Sequence, residues 1–215
     1  MHYTSVLFDL DGTLLDTLGD LTAAMNRTLT RHGLPERTRQ QMRAALGNGA
    51  RRLMELSVPA GTDGALFETL LAEYNADYAA HCRIETAPYP GVDALLRQLH
   101  AQGRKLAIVS NKPDEAVRAL RAEFFADTVP IAVGEKQGIR RKPAPDTLLT
   151  AMVQLGAERT STVYVGDSEV DIATARAAGL PCISVLWGFR DRDLLEQAGA
   201  QQFAADAGEL ARLLD

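Results

Sequence analysis

From residue 88 onward the chain alternates between short, continuously apolar segments and longer segments with apolar residues at helical spacing. Strands are predicted at 105–109, 129–133, 162–165 and 182–186, and helices are predicted to begin near residues 92, 113, 145 and 168. Such an alternation requires right-handed crossovers and produces a parallel sheet covered by helices. The predicted fold class is therefore α/β, with a doubly wound parallel sheet.

One more strand is predicted near the start of the chain, separated from the others by a helical stretch. Residues 5–10 are almost entirely apolar, as in a strand covered on both faces. Between residues 17 and 82, apolar side chains instead recur every three or four residues. Thr17 followed by Asp20 resembles a capping box at the start of this stretch. We predict a helical domain over 16–87, inserted into a core domain formed by 1–15 and 88–215.

Acidic residues follow two of the predicted strands. Asp9 lies inside the first apolar run, where an unpaired charge is costly to bury, and Asp11 is two residues further on. Asp167 follows the strand that ends at Val165. Because the carboxyl ends of parallel strands meet at one edge of a sheet, these carboxylates are expected to lie together.

Four further residues have both a structural and a chemical interpretation. Ser110 and Asn111 follow a predicted strand and suit either a helix N-cap or the binding of an oxyanion. Lys142, in a loop with two prolines, is either a solvated basic residue or an ammonium that neutralises a phosphoryl group. Asp171 stands three residues after Ser168, so it belongs either to a capping box or to the acidic group.

Together these positions place carboxylates, one ammonium and one hydroxyl at neighbouring strand ends. An oxygen-rich group without His or Cys favours a hard divalent cation, above all Mg²⁺. A carboxylate nucleophile beside such a cation and an ammonium suits phosphoryl transfer through an aspartyl phosphate. The sequence therefore predicts an enzyme that acts on a small phosphorylated metabolite.

Charge and composition argue against several other classes. The chain has 23 basic and 28 acidic residues, a formal net charge of −5, which disfavours polyanionic partners such as nucleic acid or anionic membranes. It contains no apolar run long enough to cross a bilayer, and its two cysteines cannot form a disulfide framework. We expect a cytoplasmic protein, monomeric or weakly homodimeric, with neither nucleic-acid nor membrane partners.

Four segments resemble, in order, the motifs of the haloacid dehalogenase superfamily, in its phosphatase branch with a helical cap. They are Asp9-Leu10-Asp11-Gly12-Thr13, Ser110-Asn111, Lys142, and Gly166-Asp167 with Asp171. The resemblance covers essentially the whole chain. It implies a Rossmann-like core with the helical cap inserted after the first strand.

The resemblance also implies a role for each motif residue. Asp9 would attack phosphorus, and Asp11 would protonate the leaving alcohol and then activate water. The residues expected to hold the phosphoryl group are Lys142, Ser110, Asn111, Gly12 and Thr13. The residues expected to bind Mg²⁺ are Asp9, Asp167, Asp171 and, through its backbone carbonyl, Asp11.

Two shorter segments, Leu46-Gly47-Asn48-Gly49-Ala50 and Trp187-Gly188-Phe189, resemble the phosphoglycolate phosphatase branch. A helix after Gly49 that carries Arg51 could bind a second anionic group, such as the glycolate carboxylate, or could simply be a solvated helix. The alternatives are a β-phosphoglucomutase-like sugar-phosphate mutase, a pyrophosphatase or another small-metabolite phosphatase. A phosphoacceptor signalling module is the non-enzymatic alternative, although such modules are about half this length.

Overall fold

The computed structural model describes residues 3–215, which contain eight strands, ten α-helices and one short 3-10 helix (Arg159–Ser161). The strands are β1 (Ser5–Phe8), β2 (Leu15–Asp16), β3 (Ala87–Pro88), β4 (Lys105–Pro113), β5 (Ile131–Glu135), β6 (Thr162–Gly166), β7 (Cys182–Val185) and β8 (Gln202–Ala204). The helices are α1 (Leu18–Arg31), α2 (Arg39–Ala45), α3 (Gly49–Ser57), α4 (Gly64–His81), α5 (Val92–Ala101), α6 (Asp114–Phe124), α7 (Asp146–Leu155), α8 (Glu169–Ala178), α9 (Arg192–Gln197) and α10 (Ala207–Leu214). The chain divides into two compact units, a core unit (residues up to 16 and 88–215) and a helical unit (17–87).

Six parallel strands form the sheet of the core unit, in the order β5-β4-β1-β6-β7-β8. β1 lies in the middle, with Ser5 opposite Lys105 of β4 and Thr162 of β6. The chain adds β4 and β5 on one side of β1 and then β6, β7 and β8 on the other. Ligands of open α/β sheets bind where the strand order reverses in this way, at the carboxyl ends of the strands. The predicted α/β class is confirmed.

Both faces of this sheet are buried. On one face Leu7, Val109 and Tyr164 pack in a single cluster with residues of α7 and α8. The alternate residues, such as Phe8 and Ile108, point to the other face and are also fully buried. This double burial explains why the strands read as continuous apolar runs rather than as alternating ones.

Among the strand boundaries that differ from the sequence prediction, those of β1 and β4 lie at the carboxyl edge of the sheet. β1 ends at Phe8 instead of continuing to Leu10, so Asp9 is the first residue beyond the strand. β4 continues past Val109 to Pro113, with a register shift against β5 between these two residues. The interpretation of Ser110 or Asn111 as a helix N-cap is therefore wrong, because α6 begins only at Asp114, next to the predicted start at residue 113.

The helical unit consists of four helices that pack on one another. α1 contacts α2 and α4, and α3 contacts α2 and α4. Met25, Leu29, Leu70 and Tyr74 are buried in this unit, and Tyr74 stacks on Tyr78 with 6.2 Å between the ring centroids. These side chains have the helical spacing seen in the sequence.

Asp20 does not form the predicted capping box with Thr17. Its carboxylate instead accepts hydrogen bonds from the backbone N–H groups of Ile84, Glu85 and Thr86, at 3.0 to 3.2 Å, and from the Thr86 hydroxyl at 2.8 Å. It therefore joins the first turn of α1 to the segment that leaves the helical unit. None of the helices in residues 3–215 combines the length and apolar character that crossing a bilayer requires.

Candidate active site

Asp9 stands at the carboxyl end of the central strand. Its backbone N–H donates to the Val165 carbonyl oxygen at 2.8 Å, which holds it between β1 and β6. The residue is only 6% exposed. Burial raises the pKa of Asp9 well above its usual range; Lys142 opposes this shift, and the carboxylates of Asp171 and Asp167 reinforce it. A carboxylate in this position is stabilised by any cation that comes close to it.

Lys142 supplies one such cation from the loop before α7. Its Nζ lies 2.8 Å from Asp9 Oδ1, 2.7 Å from Asp171 Oδ1 and 3.0 Å from the Tyr164 hydroxyl oxygen. The three N–H bonds of the ammonium therefore all have partners, although its side chain is only 3% exposed. Burial alone would lower the pKa of Lys142, but the attraction of Asp171 and Asp9 outweighs it and raises the pKa.

Asp171 has both of the roles that the sequence left open. The backbone N–H and the hydroxyl of Ser168 donate to its Oδ2 at 3.1 and 2.6 Å, which is a capping arrangement at the start of α8. Its Oδ1 accepts from Lys142 and, at 2.9 Å, from the Tyr164 hydroxyl. Burial alone would raise the pKa of Asp171, but Lys142 and these hydrogen bonds lower it, so the group stays charged.

Asp167 faces the turn after β1. The backbone N–H of Phe189 donates to its Oδ2 at 2.6 Å, and the Thr13 hydroxyl lies 3.5 Å from its Oδ1. Burial, reinforced by the nearby charge of Asp171, raises the pKa of Asp167 to about 7. In the native state, a negative charge on Asp167 that no cation compensates is therefore unfavourable.

Glycine is required on both sides of Asp167. Gly12 has φ +87°, and a Cβ on it would lie 2.3 Å from Asp167 Oδ2. A Cβ on Gly188 would lie 2.3 Å from the Asp167 Cβ and 2.4 Å from the Gly12 carbonyl oxygen. The indole N–H of Trp187 donates to the Thr13 carbonyl at 3.0 Å. The Trp187-Gly188-Phe189 segment thus packs directly on the site.

Oxygen atoms of Asp9, Asp167 and Asp171 lie within 4.8 Å of one another, and all three residues are buried. The Lys142 ammonium contacts two of these three carboxyl groups, those of Asp9 and Asp171. A donor set made only of buried oxygens, with acidic groups in excess over the basic one, fits a hard divalent cation and does not suit a softer metal.

Asn111 holds the loop that carries Lys142. Its side-chain N–H donates to the Lys142 carbonyl at 3.0 Å, and its Oδ1 accepts from the Lys142 backbone N–H at 2.7 Å. These two hydrogen bonds engage both ends of the amide. The phosphate contact expected of Asn111 stays a prediction.

Asp11 lies opposite the end of β4. The Ser110 hydroxyl is 3.4 Å from Asp11 Oδ2, and the Lys112 ammonium is 3.0 Å from Asp11 Oδ1. The Ser110 oxygen also accepts from the Lys112 backbone N–H at 3.2 Å. The two predicted residues Asp11 and Ser110 are therefore neighbours, with Lys112 as a third member of the group.

Arg51 belongs to the helical unit. Its guanidinium makes a bidentate ion pair with Glu68 of α4, with both N–O distances 2.8 Å, and lies over the Phe67 ring. The side chains of Arg51 and Glu68 are 49% and 60% exposed. A substrate carboxylate at Arg51 would have to compete with Glu68.

Sequence reasoning missed Tyr164 and Lys112 as members of the site. Tyr164 stands in an apolar strand and looks like a core residue, since nothing in the pattern indicates that its hydroxyl reaches Lys142. Lys112 stands next to Ser110-Asn111, but after the predicted strand 105–109 and before the helix predicted from residue 113. Only the continuation of β4 to Pro113 brings its side chain toward Asp11.

The structure thus places a cluster of buried carboxylates and a lysine at the switch point of a parallel α/β sheet. Residues 6–185 match the family model described as haloacid dehalogenase-like hydrolase. The chain belongs to this family, which confirms the resemblance found in the sequence.

Similar proteins include two kinds of phosphatase. The chain is 37% identical over 187 residues to the phosphoglycolate phosphatase of Xanthomonas campestris pv. campestris, covering 86% of this chain and 84% of that protein. It is 31% identical over 217 residues to the N-acetylmuramic acid 6-phosphate phosphatase of Pseudomonas aeruginosa, covering 100% and 96%. The crystal structure of a candidate phosphoglycolate phosphatase from Lactobacillus delbrueckii subsp. bulgaricus superposes with a TM-score of 0.94 at 36% identity, covering 100% and 99%.

Proposed function

We propose that this hydrolase is a Mg²⁺-dependent phosphomonoesterase that works through an aspartyl phosphate on Asp9, with phosphoglycolate as its substrate. One observation carries the chemistry: Asp9 lies 2.8 Å from the Lys142 ammonium and within 4.8 Å of the carboxylate oxygens of Asp167 and Asp171. A carboxylate flanked by an ammonium on one side and a cation-binding group on the other can approach a phosphate dianion without prohibitive repulsion. The names of the relatives support phosphoglycolate.

In the first step, an Asp9 carboxylate oxygen attacks phosphorus. The new P–O bond forms as the bond from phosphorus to the substrate alcohol breaks, and the departing oxygen takes the proton of the Asp11 carboxyl. Lys142 and the hydroxyl of Ser110 would hold the phosphoryl oxygens, with backbone N–H groups of the 9–13 turn, including Gly12 and Thr13, and of Asn111. The products are a free alcohol and a phosphorylated Asp9.

In the second step, the Asp11 carboxylate takes a proton from water as the water oxygen attacks phosphorus. The bond between phosphorus and the Asp9 oxygen breaks, so inorganic phosphate leaves and the Asp9 carboxylate returns. Lys142 stays beside Asp9 throughout and offsets its charge when the phosphate departs. Proton transfer of this kind contributes on the order of 10²–10⁴ in rate.

Mg²⁺ would be held by Asp9, Asp167 and the Asp11 carbonyl, with Asp171 contributing directly or through water. When bound, it supplies positive charge to the phosphoryl oxygens and screens the clustered carboxylates from one another.

Mg²⁺ is expected to stabilise the protein more at about pH 8 than at about pH 5. The pKa of Asp167 is about 7 in the folded protein, above its unfolded value. The stability that this group contributes is therefore fully present below the unfolded pKa and is lost as the pH rises through 7. A cation at this carboxylate removes that loss, so its effect grows with pH. When the Mg²⁺ concentration is about a hundredfold above its Kd, the free energy of unfolding should rise by about 2.7 kcal/mol. Urea unfolding with and without MgCl₂ measures this gain.

The matched control for this measurement is Asp167→Asn, in which the pH dependence of the Mg²⁺ effect should be weaker, because only Asp9 then remains as a cation-binding carboxylate whose pKa is raised. An equal Mg²⁺ effect at both pH values in the unsubstituted protein would contradict the assignment of Asp167 to the cation.

We propose that the core unit carries out the reaction and that the helical unit selects the substrate. Residues 1–15 and 88–215 would form the catalytic domain, since every residue of the chemistry lies there. Residues 16–87 would form a cap that selects the substrate. Within this cap, Arg51 is the residue proposed to bind a substrate carboxylate.

Arg51→Ala is expected to raise the KM for phosphoglycolate about 10-fold and to leave the KM for an uncharged aryl phosphate unchanged, because only the former loses a charged hydrogen bond. Arg52→Ala is the control, since Arg52 is equally exposed and is paired with Glu55 at 2.9 Å. An equal change for both substrates would show that Arg51 serves only its ion pair with Glu68.

A second substrate is favoured by a specific observation. The full-length match to an N-acetylmuramic acid 6-phosphate phosphatase, at 31% identity, makes a sugar-acid phosphate the leading rival to phosphoglycolate.

The decisive experiment is a phosphate-release assay with Mg²⁺ across a panel of phosphorylated metabolites that includes both compounds. We expect stoichiometric inorganic phosphate, the highest kcat/KM with phosphoglycolate, and loss of turnover in EDTA that Mg²⁺ restores. Isomer interconversion with little phosphate release would indicate a mutase. A stable phosphoprotein without turnover would indicate a signalling module, and either result would reject the proposal.

A further inference from the structure

Lys112 makes a buried contact with Asp11 that has no role in the reaction steps described above. Its Nζ lies 3.0 Å from Asp11 Oδ1, and the side chains of Lys112 and Asp11 are only 6% and 18% exposed. The Ser110 hydroxyl, which itself accepts from the Lys112 backbone N–H, lies 3.4 Å from Asp11 Oδ2. Both carboxylate oxygens of Asp11 are therefore contacted from the end of β4.

The extended backbone at the end of β4 explains how this short segment reaches two catalytic residues. In extended chain, residues i and i+2 share a face. Ser110 and Lys112 accordingly reach Asp11, whereas Asn111 between them bonds to the backbone of Lys142. A helix beginning at residue 110 would break this alternation, so the continuation of the strand to Pro113 is part of the site.

We propose that Lys112 is a positioning residue that orients Asp11 for proton transfer to the leaving alcohol. The proposal rests on the hydrolase function proposed above, because it concerns the Asp11 step of that reaction. The ammonium holds Oδ1. Oδ2, which lies 3.4 Å from the Ser110 hydroxyl, gives its proton to the alcohol oxygen as the bond from phosphorus to that oxygen breaks. Oδ2 then takes the proton of the attacking water. An unheld Asp11 could adopt other rotamers, and a displacement of about 1 Å can cost about 10²-fold in rate.

This role predicts selectivity between leaving groups. An alkyl alcohol is a poor leaving group and needs the proton as the P–O bond breaks, whereas p-nitrophenolate leaves readily without it. Loss of an oriented acid should therefore slow alkyl phosphates far more than p-nitrophenyl phosphate.

The test measures kcat/KM for Lys112→Met with three esters: phosphoglycolate, ethyl phosphate and p-nitrophenyl phosphate. This constant includes release of the alcohol but not hydrolysis of the phosphoenzyme, so it isolates the first proton transfer. We expect losses of about 30-fold for both alkyl phosphates and of less than about 3-fold for the aryl phosphate. Lys136→Met, which removes an ammonium 3.8 Å from Asp114, is the matched control and should change none of the three values.

Two patterns would overturn the proposal. A loss confined to phosphoglycolate would assign Lys112 to the substrate carboxylate, and an equal loss for all three esters would make its role structural. If thermal melts show that Lys112→Met does not fold, Lys112→Gln is measured in the same way. A wild-type protein inactive on every ester would reject the hydrolase function itself, a result distinct from either pattern.

A double substitution gives a second measurement. In an Asp11→Asn background, Lys112→Met should cost nothing further on ethyl phosphate, because a residue that acts only through Asp11 has no effect once that carboxylate is gone. A further loss of about 30-fold in that background would overturn the proposal.

Discussion

Replacing Asp9 by Asn is expected to abolish phosphate release, lowering kcat by at least about 10⁴-fold, while the protein remains folded. The amide has the shape of the carboxylate but is a far weaker nucleophile. Folding should tolerate the change because Asp9 is 6% exposed and its pKa is raised by burial, so the native state gains little from its charge. Lys142 keeps Asp171 at 2.7 Å as its counter-ion.

Two measurements separate loss of the nucleophile from loss of structure. Rapid quenching with a ³²P-labelled substrate should trap an acyl phosphate in the unsubstituted protein and none in Asp9→Asn, and urea unfolding should give free energies within about 1 kcal/mol of each other. Asp16→Asn, at the end of β2 and outside the carboxylate cluster, is the control substitution. Wild-type turnover in Asp9→Asn would exclude Asp9 as the nucleophile.

The placement of Asp9 and Asp167 could be predicted from sequence because it depends on a rule about parallel sheets. Strand–helix alternation makes the strands parallel, and parallel strands bring the residues at their carboxyl ends to one edge. Asp9 and Asp167 follow β1 and β6, which are neighbours in the sheet. No detail of side-chain packing was needed for this step.

The features that sequence reasoning missed depend on contacts between distant segments. Asp20 and Thr17 have the spacing of a capping box, but four donors from residues 84–86 bind the Asp20 carboxylate instead. The extension of β4 through Ser-Asn-Lys, residues with little strand propensity, is stabilised by the bonds of those side chains to Asp11 and Lys142. Local patterns do not contain such information, because the partner residues lie elsewhere in the chain.

Lys142→Met should lower the free energy of unfolding by about 3–5 kcal/mol at neutral pH without Mg²⁺, and should also lower kcat by at least about 10²-fold. The substitution leaves two buried carboxylates, Asp9 and Asp171, without the ammonium that lies 2.8 and 2.7 Å from them. A buried charge that loses its partner keeps the full cost of its desolvation, so the loss exceeds that of any surface ion pair. Lys136→Met, whose ammonium is partly exposed at 3.8 Å from Asp114, should cost less than about 1 kcal/mol.

The difference between Lys142→Met and the unsubstituted protein should shrink as the pH falls. Because Lys142 lowers the pKa of Asp171, the stability that this carboxylate contributes is present above its unfolded pKa and is lost as the pH falls through its folded pKa. In the variant, Asp171 and Asp9 can become neutral by taking up protons, which removes the penalty of the missing ammonium at acidic pH. Urea unfolding between about pH 3 and about pH 8 measures this convergence, and a constant difference over that range would show that Lys142 stabilises the site by packing rather than by charge.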